Sequence, residues 1–115
     1  MPALPLDDIF AALADPTRRA IVARLHEGRA TVGELAAPFQ ISLPAISRHL
    51  KVLERARLIS RSSDGRQRWC RLDPTGLTAA ADWLAFHERF WSASLDRLEA
   101  ELRRRNRENA DYRPD

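Results

Sequence analysis

The chain reads as a mostly α fold carrying one small β-hairpin, and three observations lead there. Apolar residues recur at three- and four-residue spacing through most of the 115 residues. Thr31 to Leu58 holds two such stretches joined by a tight turn. Between Leu58 and Leu72 the helical period stops and two short extended runs flank Ser63-Asp64-Gly65, where Asp-Gly is a strong turn signal.

The elements follow in order. Leu6, Ile9, Phe10 and Leu13 share one face of a first helix that is expected to end at Asp15. Asp15-Pro16 supplies an N-cap followed by proline at the first helical position. Ile21, Val22 and Leu25 line this second helix until Gly28 stops it. Thr31 with Glu34 three residues later forms a capping box, which predicts a third helix from Val32 to about Pro38, with Phe39 and Ile41 as core plugs in the turn after it. Ser42 caps a fourth helix to Arg55, and Pro44 is tolerated because first-turn amides have no intrahelical acceptor to lose.

Wound as a helix, Ser42 to Arg55 places Ile46, Leu50 and Leu53 on one side. Pro44, Ser47, Arg48, Lys51 and Arg55 fall on the other. The first set anchors the helix and the second is free to meet a ligand. Arginine and serine can address base edges in a major groove, and lysine can address phosphates. Two short helices with a basic outer face on the second have the layout of a helix-turn-helix that reads double-stranded DNA. The plain alternative is a solvated amphipathic helix with no partner.

Leu58 to Ser62 and Arg66 to Leu72 then form the hairpin, or wing. Arg66 and Arg68 sit near its tip, within reach of phosphates or a minor groove, unless they only keep it soluble. Cys70 shares a strand face with Leu72 and reads as structural. From about Thr78 to about Arg105 a last helix carries Leu84, Trp91, Leu95, Leu98 and Leu102 down one side, widened by Trp83, Phe86 and Phe90. That stripe exceeds what a small domain can bury. It is expected to close a homodimer together with Leu6, Ile9, Phe10 and Leu13 of the first helix. An unidentified organic effector against Trp83, Phe86, Phe90 and Trp91 is the competing use of those aromatics. Residues 1–105 thus read as one DNA-binding and dimerisation domain, and Asn106 to Asp115 as a polar, disordered tail.

Charge placement supports nucleic acid as the partner. The net charge is only +3. Ser42 to Arg71 holds eight basic and two acidic residues, a net +6, against eleven and fourteen elsewhere, a net −3. The start lacks a basic and apolar export signal, and no apolar run approaches the roughly 18 residues of a membrane span, so a cytoplasmic protein with no membrane contact is expected. No Gly-x-Ser-x-Gly elbow, paired Cys and His or phosphate-cradling glycine loop is present, and no enzymatic activity is expected. A winged helix used only for protein–protein contact is the rival reading, and the bare basic face argues against it.

DPTRR at Asp15 to Arg19, TVGELA from Thr31, SLPAISRHLKVLE at Ser42 to Glu54 and the DGR turn resemble the ArsR-type winged helix-turn-helix transcriptional repressors over nearly the whole chain. The resemblance implies a homodimer built from the first and last helices, with one recognition helix per subunit in operator DNA. It also implies release when an effector binds or a redox state changes. Two departures stand out. Where the metal-sensing branch carries Cys-x-Cys on the first helix of the pair, this chain has Thr31 and Gly33; on the last helix Asp82, His87 and Glu88 lack the second histidine motif. No metal and no cofactor are therefore expected. Arg57 stands where the family often ends the recognition helix with glycine.

Overall fold

In the computed structural model, residues 5–111 are described, and the chain runs in the order helix, helix, strand, helix, helix, strand, strand, helix. Helix α1 spans Leu6–Leu13 and α2 spans Pro16–Leu25. A two-residue strand β1, Ala30–Thr31, leads into α3, Val32–Ala36, which tightens into a 3-10 turn over Ala37–Phe39. Then come α4, Leu43–Arg55, the strands β2, Ile59–Asp64, and β3, Gln67–Leu72, and α5, Pro74–Asp111. The chain forms two compact units, one up to Ala81 and one from Asp82.

The first unit holds the buried core. Ile9 of α1, Ile21, Val22 and Leu25 of α2, Leu35 of α3, and Ile46, Leu50 and Leu53 of α4 are all buried. They close on Leu58, Ile59 and Cys70 of the sheet region and on Ala80 of α5. Burial pushes the Cys70 thiol pKa up, so the reactive thiolate is disfavoured, in keeping with a structural role.

The caps foreseen at the starts of three helices form. The Asp15 carboxylate accepts the Arg18 amide at 2.9 Å, Thr31 Oγ1 accepts that of Glu34 at 3.1 Å, and Ser42 Oγ accepts that of Ala45 at 3.2 Å. The Arg18 amide on its carboxylate also holds Asp15 below the usual carboxylate range.

Several boundaries differ from the sequence reading, each for a local reason. α1 stops at Leu13, two residues early, because Arg18 and Arg19 of α2 turn back to take its end. Arg18 Nε donates to Ala12 O at 2.7 Å, Arg18 Nη2 to Ala11 O at 3.1 Å and Arg19 Nη1 to Leu13 O at 2.8 Å, taking up carbonyls of the last turn, of which Ala11 O also accepts the Ala14 amide at 3.2 Å. Arg18 Nη1 also lies 3.3 Å from His49 Nδ1 on α4, so one side chain braces three helices.

The sheet has a third strand that the hairpin reading lacked. β1 pairs antiparallel with β3 through Ala30↔Cys70 and Thr31↔Trp69, giving the order β1-β3-β2. Two residues are too few for an alternation signal. The wing turn is one step later than expected. Asp64 pairs with Gln67, leaving Gly65-Arg66 as a two-residue loop with Gly65 at φ 63°, the left-handed value such a loop needs at its first position.

α4 ends in a six-residue Schellman closure, in which the Leu58 amide donates to Leu53 O at 3.0 Å and the Arg57 amide to Glu54 O at 3.1 Å. Arg57 occupies the left-handed position at φ 57°, so the arginine adopts the conformation glycine would have taken more cheaply. The start of α5 locks onto this corner, with Gly76 N donating to Arg57 O at 2.7 Å and Asp73 N to Leu58 O at 3.0 Å. Asp73 in turn caps α5 by accepting the Thr75 amide at 3.0 Å. α5 therefore begins at Pro74, four residues before the expected Thr78.

The second unit is the remainder of α5. It runs helical to Asp111, so residues 106–111 of the expected disordered tail are helix, and residues 112–115 lie outside the described residues. Acid–base pairs one turn apart explain the extension: Glu99 with Arg103, Glu101 with Arg104 at 2.6 Å and Arg105 at 3.1 Å, and Arg104 with Glu108 at 2.5 Å.

Candidate nucleic-acid interface

α4 is fastened by one face and bare on the other. Ile46, Leu50 and Leu53 are fully buried, whereas Pro44, Arg48, Lys51 and Arg55 are exposed and Ser47 is half-buried. Ser42 has its hydroxyl oxygen engaged in the cap. Arg55, at the far end of the helix, lines a cleft of about 250 Å³ with Asp8, Ala11 and Val52, which puts it beside α1.

On the wing, Arg66 in the turn and Arg68 on β3 are both exposed. They border a groove of about 400 Å³ whose other wall comes from Thr31, Gly33 and Leu43, so the wing tip and the start of α4 face one opening.

The basic residues divide by use. Arg18, Arg19 and Arg24 bind carbonyls or carboxylates of the fold, and Arg61 lies 3.6 Å from Glu54. Arg29 stacks 3.8 Å above the Trp69 ring. The side chains of Arg48, Lys51, Arg55, Arg66 and Arg68 have no hydrogen-bond or ion-pair partner among the described residues. Five cations left in water on adjoining elements suit a polyanion, since each phosphate met releases counterions and none of the five must first give up a partner within the fold.

The residues expected at a dimer contact divide differently. Leu84, Trp83, Phe86, Phe90, Trp91, Leu95, Leu98 and Leu102 on α5 are all exposed, as is Phe10 on α1. Leu6 and Leu13 are half-buried. Ile9 is a correction: its side chain is fully buried in the core of its own chain, because α1 turns it inward against α4. The aromatics proposed for an effector close on His87 of the same helix, with ring centroids 4.3 Å away for Trp83, 5.1 Å for Phe86 and 6.2 Å for Trp91.

Two features escaped the sequence reading. Leu43, at the first position of α4, was left out of both helix faces, although its place one turn before Ser47 was the available signal. The Asp15, Arg18 and His49 brace was invisible because His49, 3.9 Å from Asp15 and 3.3 Å from Arg18, lies 31 residues beyond Arg18 in the sequence. Among the described residues no group of three His, Cys, Asp or Glu side chains could hold a metal ion, and Thr31 and Gly33 offer no soft donor. No helix among them is long and apolar enough to cross a membrane.

Residues 13–61 match the family model described as a helix-turn-helix domain. The chain is 51% identical over 89 residues to the HTH-type transcriptional regulator Rv2034 of Mycobacterium tuberculosis (strain ATCC 25618 / H37Rv), covering 77% of this chain and 80% of that protein. It is 38% identical to the transcriptional repressor SdpR of Bacillus subtilis (strain 168), covering 69% and 88%. The crystal structure of the ArsR family transcriptional regulator RHA00566 superposes with a TM-score of 0.71 at 45% identity, over 76% of this chain and 90% of that one.

Proposed function

Since the chain belongs to the ArsR family of winged helix-turn-helix transcriptional regulators, a class that binds DNA and performs no catalysis, we propose that it is a cytoplasmic repressor acting as a homodimer on a palindromic operator. Each subunit seats α4 in a major groove. Half-sites lie about one helical turn, roughly 10 base pairs, apart. The observation that carries this reading is the unpaired basic face of α4 standing opposite its buried Ile46, Leu50 and Leu53.

Residue roles follow from reach and chemistry. Arg48 and Ser47 read base edges. Lys51, Arg66 and Arg68 neutralise phosphates, Ser42 and Pro44 set the entry of the helix, and Arg55 meets the flanking backbone. The dimer closes through the exposed α5 stripe with Leu6, Phe10 and Leu13, which makes the aromatics interface rather than effector site. This reading gives a metal no part, since Thr31 and Gly33 carry no soft donor where the metal-sensing branch has Cys-x-Cys.

The test is selection of duplexes from a random library by the full chain, followed by binding of the Arg48→Ala variant. Wild type should select a two-fold symmetric sequence, and the variant should lose about 1–3 kcal/mol and discriminate poorly at one base position per half-site. Equal weakening on selected and random duplex would make Arg48 a phosphate contact. No selection at all would favour the protein-docking reading.

A further inference from the structure

Leu43 is 66% exposed, more than any other large apolar side chain described. Its position makes that exposure informative. It is the first residue of α4, immediately after the Ser42 cap, where no core contact is available and any helix-tolerant residue would serve. It lies one helical turn before Ser47, on the flank turned to the wing, in the groove it shares with Thr31, Gly33, Arg66 and Arg68. An apolar side chain held in water between two unpaired arginines and the start of a base-reading helix is matched to a surface that is anionic with an apolar spot.

The major groove offers one such spot: the 5-methyl group of thymine, which the other three bases lack. We infer that Leu43 is a specificity-determining residue that packs on a thymine methyl in each operator half-site. The inference rests on the proposed docking of α4 in the major groove and adds an apolar term to a contact set otherwise made of charges and hydroxyls. Arg66 and Arg68 hold the neighbouring phosphates and so fix how deeply Leu43 enters. Deoxyribose, the other apolar surface of DNA, is indifferent to base identity, and that difference separates the two contacts.

The experiment uses the duplex selected from the random library and a set of copies in which each thymine in turn is replaced by deoxyuridine, which removes only the methyl group. Affinities of the full-length wild type, Leu43→Ala and Leu43→Gln are read by fluorescence anisotropy. Both variants should keep the wild-type melting temperature, since the side chain is exposed. Wild type should lose about fourfold per half-site at one thymine, the worth of one buried methyl group. Both variants should bind the thymine duplex more weakly by at least that factor and show no further loss with deoxyuridine there. Variants that bind as wild type does, or that stay as sensitive to every deoxyuridine as wild type is, overturn the inference. A wild type that selects no sequence overturns the docking reading itself, and the role of Leu43 with it.

Discussion

Leu98→Glu should convert the protein to a monomer in sedimentation and lower its affinity for the selected operator by roughly 10²-fold or more, the order of the gain from engaging two linked sites at once. Leu98 is 55% exposed on α5, between Leu95 at 61% and Leu102 at 50%. Those three continue the line of Leu84 and Trp91 along one side of a helix whose last turns carry Glu–Arg ion pairs. A two-fold axis brings the substitution into the interface twice, and an ionised carboxylate in an apolar contact is costly without a partner. The variant should keep its helical circular dichroism, because Leu98 contributes nothing to the buried core of the first unit. A dimeric Leu98→Glu protein would place the interface elsewhere.

Gly76→Ala should destabilise the fold by about 1–3 kcal/mol, the usual cost of forcing an extra carbon into a packed site. A Cβ on Gly76 would stand 2.5 Å from Ala56 O and 2.7 Å from Arg57 O, both backbone atoms at the end of α4. The corner can accept it only by lengthening the Gly76 N to Arg57 O hydrogen bond and shifting the left-handed turn at Arg57. That turn sets where the wing leaves the recognition helix, so operator affinity should fall with stability. Gly33→Ala is the control. Its nearest contact would be Thr31 Oγ1 at 4.0 Å, and alanine in a helix is favoured over glycine by up to about 1 kcal/mol, so thermal unfolding should show no loss. Equal melting temperatures for Gly76→Ala and wild type would mean that the corner is not tightly packed.

What could be read without coordinates was whatever repeats with a period or caps an end. The faces of α4 were legible because Ile46, Leu50 and Leu53 keep the 3.6-residue spacing, and Asp15, Thr31 and Ser42 announced three helix starts through oxygen acceptors at the right offset. Features made by residues distant in sequence were not. β1 exists because Ala30 and Thr31 lie beside Cys70 and Trp69, and the early end of α1 depends on arginines of the next helix reaching back. Ile9 shared the apolar spacing of the exposed set, and only the direction in which α1 packs separates it from Phe10. The long run of α5 to Asp111 rests on its Glu–Arg pairs, whose charges look like a solvated tail when read as composition.

The basic face of α4 as a DNA-reading surface is tested most directly by the salt dependence of binding. Anisotropy with the selected duplex and with a random one should show the selected sequence bound at least about 10³-fold more tightly near physiological salt. The logarithm of affinity should fall linearly with the logarithm of salt concentration. Lys51→Ala should reduce that slope by about 1 per subunit while leaving the order of preferred sequences intact. Equal affinity for both duplexes, or a slope unchanged by Lys51→Ala, Arg66→Ala and Arg68→Ala together, would contradict the assignment of this face to DNA.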